Sequence, residues 1–98
     1  MIKVLKLVTG EELIGELDII NGFHIVKDPC VLTMVPSRTN PQQPAMAMIP
    51  YAAYVKDNKV KIGSNFVIWC EEPVKDLYNQ YNSVFGSGIV VAGATALN

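Results

Sequence analysis

The sequence contains one histidine and two cysteines, which leaves few side chains for metal binding or nucleophilic catalysis. Zinc sites normally use three or four nitrogen or sulfur ligands, and no such group of residues is suitably spaced here. Cys30 and Cys70 stand in separate apolar segments without CxxC spacing, so reduced core thiols are favoured over a disulfide. Ser-His or Cys-His catalysis would have to use His24, which lies in no recognisable catalytic motif. We therefore expect a protein that is not an enzyme and needs no cofactor or metal.

Long hydrophobic runs and an excess of positive charge are also missing. No stretch approaches the roughly 20 apolar residues that span a bilayer. The N-terminal segment carries Lys3 and Lys6 and no hydrophobic signal core, which predicts a cytoplasmic protein. Eight Lys and Arg stand against nine Asp and Glu, for a net charge of -1. Bulk electrostatic attraction to nucleic acid is thereby excluded, so any such contact has to be a local basic patch or a stacking pocket.

The sequence does have a high apolar content for its size. Half of its 98 residues are apolar, and the mean hydropathy is +0.26. A chain of this length forms one domain, residues 1–98, which buries only about 60 to 65% of its unfolded surface by folding alone. The excess of apolar surface predicts a subunit interface, and therefore an oligomer.

Apolar and polar residues alternate in five segments between about residues 2 and 70, which predicts five short strands separated by turns. Asn21 and Gly22 form a turn pair that tolerates positive φ at both positions. Residues 36–44 form a polar, proline-rich loop. The period then changes, and Pro73 begins a predicted helix over residues 73–85 that ends at Gly86. Residues 86–98 form a small apolar tail, for which an extra strand, an interface arm and a frayed end all remain open.

The predicted helix has one apolar stripe, formed by Val74, Leu77, Tyr78, Tyr81, Val84 and Phe85. The second strand is apolar on both faces, with Leu13, Leu17 and Ile19 on one face and Ile14 and Ile20 on the other. Burial on two sides is therefore implied, and an adjacent subunit is one candidate to cover the second side. The fold class that fits is mainly β, a small, five-stranded, strongly bent barrel that is SH3-like or OB-like, with a C-terminal α-helix.

Two short motifs carry a resemblance to a known family. Residues 10–17 read Gly-Glu-Glu-Leu-Ile-Gly-Glu-Leu, and residues 62–68 read Ile-Gly-Ser-Asn-Phe-Val-Ile. In their order and separation they resemble the two signatures of the Sm and Sm-like (LSm) proteins, and divergent Sm-like proteins of tailed phages are the nearest kind. Gly10 would allow the first tight turn, and Gly15 would allow the sharp bend of the second strand.

The resemblance implies a nucleobase pocket at the turn into strand three, where the family has an Asp, an aromatic residue and an Asn. This chain offers Asn21, then Phe23 and His24, and lacks the later Asn. In the second motif Ile62 replaces the family's basic residue. The candidate nucleic-acid-binding residues are Asn21, Phe23, His24, Lys61, Ser64 and Asn65.

Each of these residues also has a purely structural interpretation. Phe23 and His24 are neighbours on a strand and point to opposite faces, so at most one can enter a pocket while the other packs in the core. For Lys61, Ser64 and Asn65, ordinary turn chemistry is favoured over contact with nucleic acid.

The resemblance also implies a homo-oligomeric ring of about five to seven subunits, in which strand four of one subunit pairs with strand five of the next. Residues 45–55 and 65–70 would be the two interface segments. Such a ring would be a non-catalytic module that binds single-stranded RNA around its pore, with single-stranded DNA as a variant. The alternative is a structural or assembly ring that binds other proteins without nucleic acid.

Overall fold

The computed structural model describes residues 1–39 and 42–86, which form a mainly β fold with one helix. The strands are β1 (Ile2–Leu7), β2 (Glu12–Ile20), β3 (Phe23–Val35), β4 (Ala45–Pro50), β5 (Lys59–Gly63) and β6 (Val67–Glu71), and the helix is α1 (Lys75–Phe85). No helix among these residues is long and apolar enough to cross a membrane. The tail from residue 87 onward and residues 40 and 41 of the proline-rich loop lie outside the described residues.

All strand pairs are antiparallel, and the sheet order is β4-β3-β2-β1-β6, with β5 pairing a second part of β3. The predicted class is confirmed, but there are six strands where five were expected. The long β3 pairs with β5 along its first half and with β4 along its second half. Residues 51–58 leave the sheet between them, because Ala52, Asp57 and Asn58 have positive φ values of 59°, 62° and 47° that no strand accommodates.

The two turns expected from the sequence are present. Gly10 has a φ of +106°, and Asn21 and Gly22 have φ values of 50° and +81°. Gly15 lies where the pairing of β2 with β3 shifts register, and a Cβ there would overlap a methyl group of Val26. The bend of β2 therefore depends on the absence of a side chain at this position.

The concave side of the sheet encloses one core cluster. Leu5, Leu17 and Val26 are buried there, and residues from β5 and β6 pack against them, namely Val60, Ile62, Val67 and Cys70. Since β5 and β6 lie at opposite ends of the sheet, their contact with one cluster shows that the sheet curls around it as a small barrel.

The convex side carries a second cluster beneath α1. Val4, Ile14, Cys30 and Tyr81 are buried in it, with Leu77 and Phe85 of the helix packed against them. At these positions the chain's own helix, and not an adjacent subunit, covers the second side. At the C-terminal end of β2, by contrast, Ile19 and Ile20 are 61% and 50% exposed.

The helix begins later than predicted. Its first residue is Lys75, and Pro73 precedes it by two positions because Val74 has an extended backbone with ψ of 157°. The apolar stripe is narrower than expected as well. Leu77, Tyr81 and Phe85 face the sheet, whereas Val74, Tyr78 and Val84 remain exposed. Gly86 ends the helix as predicted, with its N–H donating to the Asn82 carbonyl at 2.7 Å.

Both cysteines are free thiols, as the sequence predicted. Burial raises the pKa of the Cys30 thiol, and the nearby Asp28 carboxylate raises it further. Burial also raises the pKa of Cys70. Each thiol is therefore held in its protonated, less reactive form.

Candidate nucleic-acid interface

Two loops that are distant in sequence meet at one end of the barrel. One is the β2–β3 turn at Asn21 and Gly22, and the other is the 3₁₀ turn Ser64–Phe66 that joins β5 to β6. The Ser64 N–H donates to the Gly22 carbonyl at 3.0 Å, which ties the loops together. The structure therefore brings the six candidate residues to the same end of the molecule.

His24 and Ser64 form the inner half of this arrangement. The His24 Nδ1 and the Ser64 Oγ share a hydrogen bond of 2.7 Å, and both residues are half-buried. His24 pairs with Ile62, whose side chain contacts the inner core, so the imidazole lies at the rim of the barrel interior. The hydrogen bond to the Ser64 hydroxyl takes up one ring nitrogen and restrains the orientation of the imidazole.

Phe23 and Lys61 form the outer half. Phe23 pairs with Gly63, and Lys61 pairs with Ile25, so both side chains lie on the outward face of the β3–β5 pair. The Lys61 ammonium lies 5.0 Å from the centroid of the Phe23 ring, and the ring is 39% exposed. This is a cation–π pair at the surface, with the positive charge over one face of the aromatic ring. As the sequence predicted, Phe23 and His24 point to opposite faces.

The two remaining candidates, Asn21 and Asn65, are exposed turn residues that belong to neither pair. Asn21 is exposed at the tip of its turn, and its positive φ accounts for its identity there. Asn65 is exposed in the 3₁₀ turn, with its side-chain oxygen close to Gly63. Turn chemistry explains both residues.

A basic strip that sequence reasoning missed continues from the Phe23–Lys61 pair. Lys27 stands directly opposite Lys59, and Lys61 follows two residues later on the same outward face. We call Lys27, Lys59 and Lys61 the basic strip. Within the part of the chain that the structure describes, none of the three forms an ion pair. The spacing of Lys59 and Lys61 was visible in the sequence, but the position of Lys27 required the β3–β5 register.

Phe66 was also missed. Its ring lies against Gly63, where the nearest ring carbon would be 3.2 Å from an added Cβ, and the side chain is 53% exposed. Because Gly63 is the partner of Phe23, the two aromatic rings flank one glycine on the outer surface. Phe66 lies within the second motif and belongs to the 3₁₀ turn Ser64–Phe66.

The two ends of the sheet present unpaired strand edges within residues 1–39 and 42–86. One edge is β6, where Ile68 is 58% and Trp69 38% exposed, and the other is formed by β4 and β5. Met46 and Ile49 of β4 are also exposed. The predicted interface segments need correction at their ends, since only Ala45–Pro50 and Val67–Glu71 are strands while residues 51–55 and 65–66 are not.

No group of three or more His, Cys, Asp or Glu side chains among the described residues is arranged to hold a metal ion. A scan against models of known protein families finds no match to this chain, and a search of curated proteins finds none either. The function of the protein is therefore inferred from the geometry of the chain itself.

Proposed function

We propose that this protein is a ring-forming, non-catalytic module of the cytoplasm that binds single-stranded RNA. The observation that carries the proposal is the exposed Phe23 ring beside the Lys61 ammonium, at the end of the barrel where two loops are tied together. An aromatic face stacks on any unpaired base, and an adjacent cation attracts the phosphate that follows it. Neither side chain is buried in the core.

The basic strip supplies the local positive charge that an acidic chain needs for such binding. Its three ammonium groups lie along one outward face, and none is neutralised by an ion pair among the described residues. Single-strand affinity falls with salt by about 0.7 logarithmic units per phosphate contact and per tenfold change in concentration. Each phosphate contact that the strip makes would therefore add about 0.7 to the salt slope.

Assembly into a ring is supported by the two unpaired sheet edges. Pairing β6 of one subunit with β4 of the next would satisfy backbone groups on both edges and would cover Ile68 and Ile49. A head-to-tail contact of this kind closes into a ring when the rotation between subunits divides a full turn. The ring would repeat the Phe23–Lys61 site once per subunit and so convert weak contacts into avidity.

Two measurements test this function. Light scattering coupled to size exclusion gives the mass of the assembly, and a monomer at micromolar concentration would refute the ring. Fluorescence polarisation with labelled oligouridylate and oligoadenylate, at low and moderate salt, measures binding. We expect Phe23→Ala and Lys61→Ala to weaken it, and His24→Ala to do so if the imidazole contacts the base. Val84→Ala, at a helix position that is 64% exposed, is the matched control and should bind normally.

A second candidate function is supported by a groove beside the start of α1. This groove has a volume of about 470 Å³ and a mostly apolar floor that includes Leu32, Met46, Trp69 and Leu77. Glu71 and Glu72 stand at its rim. An apolar floor with an acidic rim suits a protein segment that carries apolar and basic residues, as a structural or assembly ring would need. A ring of the expected mass that binds neither oligonucleotide at low salt would favour this candidate.

A further inference from the structure

A cleft lies beside the Phe23–Lys61 pair and shares Lys61, Gly63 and Phe66 with the residues described above. Its volume is about 320 Å³, and it lies between the β1–β2 turn and the 3₁₀ turn after β5. The residues that line it are Leu7, Val8, Thr9, Tyr51, Lys61, Ile62, Gly63 and Phe66. Lys61 is therefore shared, since its ammonium lies over the Phe23 ring while its side chain forms part of the cleft wall.

The walls of the cleft have the chemistry of a base-stacking site. Tyr51 and Phe66 contribute two aromatic side chains, and Phe66 is 53% exposed. Gly63 lets the Phe66 ring lie close to the strand, because an added Cβ would meet that ring at 3.2 Å. Stacking between aromatic side chains accepts every base, since each base has a π face.

The polar groups around the cleft determine which part of a nucleotide can enter it. The Thr9 hydroxyl donates to the Glu11 carboxylate, and this hydrogen bond lowers the pKa of Glu11, which keeps a negative charge at that end. A phosphate would be repelled there, whereas a neutral base would not. The positive charge of Lys61 lies at the other side, toward Phe23. With a neutral base inside the cleft and a phosphate at Lys61, the phosphate meets the positive charge of Lys61 and avoids the negative charge of Glu11.

We propose that this cleft is a second base site, so that each subunit holds two consecutive nucleotides of a single strand. The first base stacks on Phe23, the second enters the cleft against Phe66 and Tyr51, and Lys61 contacts the phosphate that joins them. Phe23 and Phe66 flank the same glycine, and paired residues on antiparallel strands have Cα atoms only about 4.5 to 5.5 Å apart. The two aromatic surfaces are therefore close enough for neighbouring nucleotides. This inference depends on the proposed function, because it adds a subsite to the same interface.

The experiment compares the wild type with Phe66→Leu, using the intact chain and labelled oligouridylates of increasing length at low salt. Leucine keeps an apolar side chain in the 3₁₀ turn but removes the π face. Val84→Ala serves as the control for an exposed apolar change away from the cleft. Stoichiometric titration gives the number of nucleotides covered per subunit, and polarisation gives the affinity. Tyr51→Leu is a second variant on the other wall of the cleft, in case Phe66→Leu alters the turn.

We expect the wild type to cover about two nucleotides per subunit, and each leucine variant to lose at least about fivefold in affinity, the lower end of the effect of removing one stacking contact. Coverage of one nucleotide per subunit, with both leucine variants binding like Val84→Ala, would overturn the second site and leave the Phe23 site standing. No binding by the wild type would refute the proposed function and the second site together.

Discussion

Replacing Tyr81 with phenylalanine tests how the helix is fastened to the barrel. The Tyr81 hydroxyl donates to two carbonyl oxygens of β3, that of Lys27 at 3.1 Å and that of Asp28 at 2.9 Å. Its side chain is only 2% exposed, and the Tyr81 and Phe85 ring centroids are 4.9 Å apart. Phenylalanine keeps the ring and its contacts but removes the donor, which leaves both carbonyl oxygens without this hydrogen bond.

The expected cost follows from the geometry of this shared hydrogen bond. A net hydrogen bond contributes about 0.5 to 1.5 kcal/mol, and leaving a buried acceptor unsatisfied costs about 1 to 3 kcal/mol. We therefore expect Tyr81→Phe to lower the free energy of unfolding by about 1 to 2 kcal/mol. Tyr81→Ala also opens a cavity in the cluster beneath the helix, and should cost about 3 to 5 kcal/mol. Urea denaturation followed by circular dichroism gives both values, at one fixed protein concentration because assembly would contribute.

The same hydroxyl predicts how stability depends on pH. Burial raises the pKa of Tyr81 well above its ordinary value of 10.0, and the nearby Asp28 carboxylate adds to the effect. A folded-state pKa above the unfolded value means that the fold favours the neutral phenol. That contribution is complete below the unfolded pKa near 10 and is lost as the pH rises above it. Wild-type stability should therefore fall above pH 10 more steeply than that of Tyr81→Phe.

Two results would contradict this reasoning. Equal unfolding free energies for the wild type and Tyr81→Phe at neutral pH would show that the hydroxyl does not hold the helix to β3. Parallel loss of stability by both proteins above pH 10 would show that the phenol is ionised as easily in the fold as in the unfolded chain. Tyr81→Ala serves as the reference for complete loss of the side chain.

The bend of β2, the two thiols and the free β6 edge each allow a further test. Gly15→Ala should destabilise the protein by about 1 to 3 kcal/mol, because the new methyl group overlaps Val26, and a urea midpoint equal to that of the wild type would contradict the tight contact. Cys30 and Cys70 should react slowly with a thiol reagent at neutral pH and rapidly in urea, since the fold raises both thiol pKa values, and rapid labelling of the native protein would disprove this. Ile68→Lys places a charge on the free β6 edge and should reduce the assembly to monomers in light scattering, and an unchanged mass would exclude that edge from the interface.

Much of the fold could be predicted from local sequence signals. Asn21 and Gly22 marked a turn with positive φ, and Gly10 marked another. The break after β4 could not be predicted, because Ala52 carries no turn signal and yet has a φ of 59°. Alanine avoids this region in most contexts, so tertiary contacts around residues 51–58 must stabilise it.

The position of the helix in the fold could not be predicted from the sequence either. Apolar residues on both faces of β2 required a cover on each side, but periodicity cannot tell a neighbouring subunit from the chain's own helix. Tyr81 resolves the ambiguity in the structure, since its hydroxyl reaches the backbone of β3, 53 and 54 residues away in sequence. Contacts between residues so far apart in the sequence cannot be predicted from a local hydrophobic pattern.

The candidate site was predicted to a similar extent. The motifs identified Phe23, His24, Lys61 and Ser64, and the structure brings these four residues together in two pairs. The basic strip was missed because it depends on strand register, which sets Lys27 opposite Lys59. Register is decided by the whole sheet, so it cannot be read from one segment.

The interruption at residues 51–58 limits the length of backbone that the free sheet edge exposes to other chains. It divides one long edge into β4 with six residues and β5 with five, and β6 at the other end also has only five. Long, flat, exposed edges recruit foreign strands and nucleate fibrils, whereas very short ones give an intruding peptide little to hold. Among the described residues, therefore, each free edge offers a partner strand only five or six residues of backbone, and a partner gains further stability by matching shape and side chains.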